Sequence, residues 1–339
     1  MSRPAVLAAC TTAIGDTVLC TPALMALGRD FDVDVLVHQH RLPLLLHNPF
    51  LRQLYPYRNN PLFRLYLAGA LAGKRYHRLL VMHANDDLMK LMPWLRYQKA
   101  SSIQGWRNPH LKIDYLALDP TLHLVDRRIM LARWAGAHPQ PEDRAMRVFL
   151  TGEELARGER WLEDKGLSAG RPRVGLVLGA SHVFKRWPEE RFGLVARDLA
   201  RQGVGVVILG GGHEVGLAER AQAAAGEPLP MGHQLDLRLL SSILARLDVL
   251  VTNDTGPLHL CQAVNTPVLG LFGPTDPFTI GPREAMHRVI KVPAICEPCL
   301  TKTCPDAKCM RAIPTERVLE VVGDMLARPQ FGRGGEGRL

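Results

Sequence analysis

Residues 249–272 read VLVTNDTGPLHLCQAVNTPVLGLF. Val249-Leu250-Val251-Thr252 is an apolar, β-branched run and predicts a strand. A polar loop follows, Pro257 to Val264 suits a short helix opened by proline, and Val268-Leu269-Gly270-Leu271-Phe272 predicts a second strand. Strands alternating with helices argue for a parallel sheet with helices on both faces.

The same alternation extends upstream. Val174 to Leu178 reads as a buried strand, Pro188 to Arg201 as a helix, and Val204 to Leu209 as a strand ending in Gly210-Gly211-Gly212. Glu214 to Ala225 and Leu237 to Leu247 are helical in pattern. Nearer the start, Ala5 to Ala9, the polar turn Thr11 to Asp16, a helix from Thr17 to Leu27 and the strand Val33 to Val37 form one βαβ unit. Weaker alternation continues through Leu79 to Met82, and Pro314 to Leu326 predicts a final amphipathic helix. Two such series predict an α/β chain of two Rossmann-like, doubly wound domains facing each other across a cleft. Their expected limits are 1–165 and 172–328, with a linker from Leu167 to Pro172 and a disordered tail over 329–339.

Composition fits that reading: 339 residues, 47% of them hydrophobic, suffice for two packed cores. The formal charge of +9 points to an anionic ligand or surface. It is concentrated, since Arg52 to Lys112 holds eleven Lys or Arg against only Asp86 and Asp87. Tyr55, Tyr57, Tyr66, Trp94, Tyr97 and Trp106 lie in the same window. Basic and aromatic residues together suit an anionic sugar-lipid at a membrane surface, or nucleic acid, or simply a solvated face. No apolar run reaches the roughly 18–20 residues of a bilayer span, and Met1 to Leu19 lacks a signal-peptide pattern, so a cytoplasmic protein is expected.

In an open parallel sheet, ligands bind beyond the carboxyl ends of the strands. Asn253 to His259 is the richest such loop. Gly256 lets the backbone approach a ligand, the helix opened at Pro257 offers free N–H groups to phosphate, and His259 follows within a turn. The competing reading makes Asp254 a helix cap and His259 a core histidine. Gly179 to Pro188 brings Ser181, His182, Lys185 and Arg186 to a second loop, a diphosphate site or a solvated basic turn. Glu214, after the glycine run, suits ribose hydroxyls; the run lacks the GxGxxG spacing of a dinucleotide fingerprint. Ala13-Ile14-Gly15-Asp16 offers a carboxylate that either caps a helix or takes a proton from an acceptor hydroxyl.

Taken together, Ala13-Ile14-Gly15-Asp16, Lys185-Arg186-Trp187-Pro188, His213-Glu214, Asp254-Thr255-Gly256 with His259, and Phe272-Gly273-Pro274-Thr275-Asp276-Pro277 resemble the lipopolysaccharide heptosyltransferase family, glycosyltransferase family 9. The resemblance implies a GT-B fold and inverting, metal-independent transfer of heptose from ADP-heptose to the lipopolysaccharide inner core, a lipid A-Kdo or heptosyl-Kdo acceptor. It implies a peripheral place on the cytoplasmic face of the inner membrane, with no nucleic-acid partner. Position by position, Asp16 matches the family's general base, Ser181 and Lys185 its phosphate contacts, and Glu214 its ribose contact; Asp254, Thr255, Gly256 and His259 match its diphosphate segment. Two positions depart: Cys10 stands where a Lys or Arg is usual, and Ala180 where a second hydroxyl is expected. The other readings carried forward are a Rossmann-type nucleotide-dependent oxidoreductase and a family transferase with a different sugar or acceptor.

Cys296, Cys299, Cys304 and Cys309 space as C-x₂-C-x₄-C-x₄-C. Four thiolates of this kind hold a structural zinc or remain reduced, packed thiols. Similar cysteine-rich segments occur in family members resembling heptosyltransferase II. No cofactor is required on either reading. Asp32-Val33-Asp34 has the form of a metal-binding DxD, but a solvated strand edge accounts for it.

Overall fold

The computed structural model describes residues 3–83, 86–103, 112–293, 295, 296, 299, 304 and 306–328. The expected tail over 329–339 lies outside the described residues. The chain divides into two compact units, Met1–Thr151 with Phe278–Ile280, and Gly152–Pro277 with Gly281–Leu339.

Unit 1 contains six strands: β1 Ala5–Cys10, β2 Asp32–His38, β3 Gln53–Tyr57, β4 Tyr76–His83, β5 Tyr97–Ile103 and β6 Ile113–Leu116. They form one sheet in the order β3-β2-β1-β4-β5-β6, and every pairing is parallel. Helices α1 Ile14–Asp30, α2 Pro61–Leu71, α3 Asp86–Leu91 and α4 Leu124–Trp134 belong to this unit. Both faces of the central strands are covered. Val6, Ala8 and Cys10 pack into one apolar cluster with α1, while Leu7 and Ala9 pack into another with Leu67 and Leu71 of α2. This two-sided burial is why β1 is a continuous apolar run rather than an alternating one.

Unit 2 repeats the plan. Its strands are β7 Arg173–Val177, β8 Gly205–Gly210, β9 Met231–His233, β10 Val249–Asn253, β11 Val268–Phe272 and β12 Arg288–Lys291. Their order is β12-β11-β10-β7-β8-β9, again all parallel. Read from the other edge this is the same 3-2-1-4-5-6 winding as unit 1. The helices of unit 2 include α5 Gly152–Asp164, α6 Glu189–Arg201, α7 Val215–Ala225, α8 Leu237–Leu244 and α9 Gly256–Ala263, and the expected final helix spans Thr315–Ala327.

Two sequence expectations shift here. Helix α5, placed by sequence within the first domain's 1–165, belongs to unit 2, where it packs on α8. The cause is specific: Arg238 donates from Nε to Glu154 Oε1 at 2.6 Å, and Gly158 lets the two helices close until a Cβ there would stand 2.6 Å from the Ser242 carbonyl carbon. Asp34, read as part of a solvated edge, is fully buried. It accepts from Arg52 Nε at 2.8 Å and Tyr76 Oη at 2.7 Å, with Lys74 Nζ at 3.3 Å. Burial alone would raise its pKa, but these donors together outweigh it and hold the carboxyl below its ordinary range. The DxD is thus a structural ion network near the amino end of β2.

Candidate active site

A doubly wound sheet opens a crevice where the strand order reverses, outside the carboxyl ends of the two strands flanking that point. In unit 2 those strands are β7 and β10. Asn253, the last residue of β10, is buried there and stitches the two strand ends. Its Nδ2 donates to the Leu178 carbonyl at 2.8 Å, and its Oδ1 accepts from the Trp187 backbone N–H at 3.0 Å. Trp187 is itself fully buried and anchored through Nε1 to the Ile313 carbonyl. The basic loop 179–188 is therefore held rather than free, and Arg186 secures it further by donating to the Ala180 carbonyl.

Asp254 follows Asn253 and is 4% exposed. It does not cap α9: the N-cap is Thr255, whose side chain makes no capping hydrogen bond. Instead Asp254 Oδ2 receives Lys185 Nζ at 2.7 Å from the β7 loop and Thr275 Oγ1 at 2.7 Å from the β11 loop. One carboxylate thus ties together loops from three neighbouring strands and fixes the ammonium of Lys185 in place. The helix start at Thr255-Gly256, with Pro257 in its first turn, lies directly beside it. His259 is buried in the same helix, and Ser181 is exposed on the β7 loop.

Glu214 sits on a short 3₁₀ turn after β8, the other neighbour of β7. Its Oε2 accepts the Gly211 N–H at 2.8 Å. A Cβ built on Gly179 would lie 1.5 Å from Glu214 Oε1, so only glycine at 179 lets this carboxylate rest against the end of β7. All seven residues read from sequence as donor contacts therefore lie on α9 or on loops after three adjacent strands.

In unit 1 the reversal falls between β1 and β4. The loop after β1 enters α1, whose N-cap is Ala13, so Asp16 is in the first turn and not at the capping position. Register pairs Cys10 of β1 with His83 of β4, which brings the imidazole to the same edge. His83 Nε2 stands 3.4 Å from Asp16 Oδ1, and Arg128 Nη2, from α4, stands 3.4 Å from the same oxygen. Burial, with Arg128 adding to it, lowers the His83 pKa against the opposing pull of Asp16, so the ring is neutral at neutral pH. The Arg128 side chain is 3% exposed, and among the described residues its Nε and Nη1 have no hydrogen-bond partner. Neither His83 nor Arg128 was singled out from sequence. The C-terminal end of the β4 run was the available signal for His83; nothing local marks Arg128, which meets Asp16 across 112 residues.

Cys10, in place of the usual cation, is buried; the neighbouring Cys20 thiol and burial push its own thiol pKa up. Of the late cysteines, Cys304 and Cys309 pack against the apolar core of unit 2, and among the described residues no disulfide joins any of the four. Burial raises the Cys309 thiol pKa, and nearby Cys304 and Cys299 add to the rise. Among the described residues, no group of three or more His, Cys, Asp or Glu is gathered to hold a metal ion. Among them too, no helix is long and apolar enough to cross a membrane.

Known proteins share this plan. The profile of glycosyltransferase family 9 (heptosyltransferase) matches residues 64–310. Lipopolysaccharide heptosyltransferase 2 of Salmonella typhimurium strain LT2 is 29% identical over 241 residues, 67% of this chain and 68% of the relative. A family 9 glycosyltransferase structure from Veillonella parvula aligns with TM-score 0.83 at 22% identity, covering 96% of this chain and 98% of the other. The structure of E. coli ADP-heptose lps heptosyltransferase II aligns with TM-score 0.78 at 23% identity over 96% and 98%. Family and winding together set aside the oxidoreductase reading, since both doubly wound units are accounted for by the GT-B fold. The chain belongs to glycosyltransferase family 9 and is a glycosyltransferase of the lipopolysaccharide heptosyltransferase family.

Proposed function

We propose that this chain transfers heptose from ADP-heptose, with inversion, to a hydroxyl of the lipopolysaccharide inner core, working as a peripheral protein on the cytoplasmic face of the inner membrane. The observation that carries the reading is the Lys185–Asp254–Thr275 cluster beside the start of α9, at the reversal point of unit 2. A fixed ammonium and the free N–H groups of a helix start are what a departing diphosphate requires. Ser181, Thr255, Gly256 and His259 complete the phosphate side, and Glu214 takes the ribose. The E. coli relative's designation as an ADP-heptose enzyme supports the choice of donor.

Asp16 is the base. The acceptor oxygen bonds to the anomeric carbon as the carbon–oxygen bond to the diphosphate breaks. The acceptor proton passes to Asp16, and the bonding electron pair leaves with ADP. His83 and Arg128, both 3.4 Å from Asp16 Oδ1, hold that carboxylate in place. No step is routed through a metal, and structural zinc at Cys296, Cys299, Cys304 and Cys309 is a separate proposal about stability.

The test is a panel of ADP-, UDP-, GDP- and CDP-sugars with a core acceptor, read as released nucleotide, with Asp16→Asn as control. ADP-heptose is expected to be the preferred donor, and Asp16→Asn to lower kcat by about a hundred- to ten-thousand-fold. Asn is preferred to Ala because it keeps a polar group against buried Arg128. Turnover by Asp16→Asn equal to the unsubstituted protein removes the base; preference for a UDP-, GDP- or CDP-sugar removes the donor assignment.

A further inference from the structure

Helix α2 has apolar residues on both faces, which burial in unit 1 does not explain. Asn60 caps it, accepting from the Leu62 and Phe63 N–H groups, with Pro61 in the first turn. Leu67, Ala68 and Leu71 are buried, and Phe63 packs against the same cluster. The opposite stripe, at spacing i, i+3, i+4, holds Leu62, Leu65 and Tyr66, exposed at 79%, 61% and 62%. Gly69 and Ala70 continue it, also exposed. Arg64 is the one charged residue of the eleven. A surface helix of a globular domain ordinarily turns charge outward. Contiguous apolar exposure of this kind marks a surface that meets something less polar than water.

The flanking charge says what. Arg58, before the helix, is exposed and lies over the Phe63 ring at 5.4 Å; Arg75, just after it, is exposed as well. An apolar stripe bordered by cations fits an anionic lipid surface, with leucines entering the acyl boundary and guanidinium groups among the headgroups. A symmetric pair of α2 helices from two copies would instead set these cations against each other. Placement agrees, because α2 follows β3 and so begins at the carboxyl edge of the sheet, the edge at which Asp16 follows β1.

We infer that α2 is the membrane-docking element of unit 1, inserting Leu62, Leu65 and Tyr66 into an anionic bilayer. The inference rests on the proposed lipid-anchored acceptor, for which docking brings the base to the membrane plane. It is tested with the full chain and Leu62→Gln/Leu65→Gln, a change that keeps helix propensity. Both are co-sedimented with vesicles of phosphatidylglycerol and phosphatidylethanolamine, and with phosphatidylcholine alone, at low and high salt. The unsubstituted chain is expected to bind the anionic vesicles, more weakly at high salt. The double variant is expected to lose about tenfold in vesicle affinity while keeping its melting temperature and its turnover of a delipidated, water-soluble core acceptor. Equal vesicle binding by the two proteins overturns the inference. So does a loss of turnover on the soluble acceptor, which would make α2 part of the acceptor pocket. A dimer broken by the substitutions, without vesicle binding, overturns it in favour of a second copy. Failure of the chain to use ADP-heptose would remove the proposed transfer, whereas the vesicle comparison judges α2 independently.

Discussion

The two units share one winding and differ in what they place at its reversal point. In unit 1 the edge between β1 and β4 carries a carboxylate, Asp16, with a neutral imidazole and a buried guanidinium 3.4 Å away. In unit 2 the edge between β7 and β10 carries an ammonium held by a buried carboxylate, beside a helix start. The backbone plan decides where a ligand can sit, and a handful of loop residues decide which charge it meets. On the proposed function, one edge accepts a proton and the other a departing anion. The strongest tests of this contrast alter one edge and ask whether the other still works.

Lys185→Met strikes the anion side. Turnover is expected to fall by about a hundred- to a thousand-fold, as when an electrostatic donor is removed from a developing charge. The same change leaves Asp254, 4% exposed, without its cation, so the melting temperature should fall too. Lys185→Met/Asp254→Asn separates the two effects: stability should return and turnover should not. Turnover of the unsubstituted protein should be unchanged after EDTA, because the proposed function assigns the neutralisation to protein groups. Recovery of turnover in the double variant would mean that Lys185 serves only to balance Asp254.

A smaller effect, confined to unit 1, is expected from Asp34→Ala. Removing a buried carboxylate that answers Arg52, Lys74 and Tyr76 should cost about 3 kcal/mol in denaturant unfolding. Because folded Asp34 keeps its charge to lower pH than an unfolded one, its contribution is complete above the ordinary value of 3.8. It is lost as pH falls through the depressed folded value. The unsubstituted protein should therefore lose stability in acid more steeply than the variant, and parallel curves would remove Asp34 as the cause.

Asp34 also shows where sequence reading stops. The alternation of strands and helices is local, so β1, β2, β4, β7, β8, β10 and β11 were legible in runs such as 249–272, whereas the shorter or more polar β3, β5, β6, β9 and β12 and the order of the strands were not. The pooling of Ser181, Lys185, Glu214 and Asp254 was legible too, because parallel pairing carries strand ends to one edge. What was not legible is pairing across distance. Asp34 meets partners 18, 40 and 42 residues away, and Glu154 meets Arg238 across 84. Neither separation has a local signature, so a buried ion network looked like a wet edge and α5 looked like the end of the first domain. The basic window misled in the same way. Two of its cations, Arg52 and Lys74, are answered by Asp32 and Asp34, which lie outside it in sequence.

The smallest effect is expected at His83, and it tests whether Asp16 is positioned by its surroundings or acts alone. At neutral pH the imidazole is uncharged, so what it offers Asp16 is a ring nitrogen 3.4 Å away, a donor in the tautomer protonated at Nε2, and not a charge. His83→Gln supplies an amide donor and should keep most of the activity. His83→Ala removes the donor and should lower kcat by about tenfold, the worth of one hydrogen bond to a charged group, with little change in donor KM. A burial-depressed histidine also gives a sign for pH. Below its ordinary value of 6.5 the unfolded chain takes up a proton that folded His83 resists, so stability declines as pH falls from 6.5 toward the folded value. In His83→Gln that part of the decline should vanish. Equal activity in His83→Ala and His83→Gln would show that Arg128 alone holds Asp16, and would leave unit 1's edge with a two-residue arrangement in place of three.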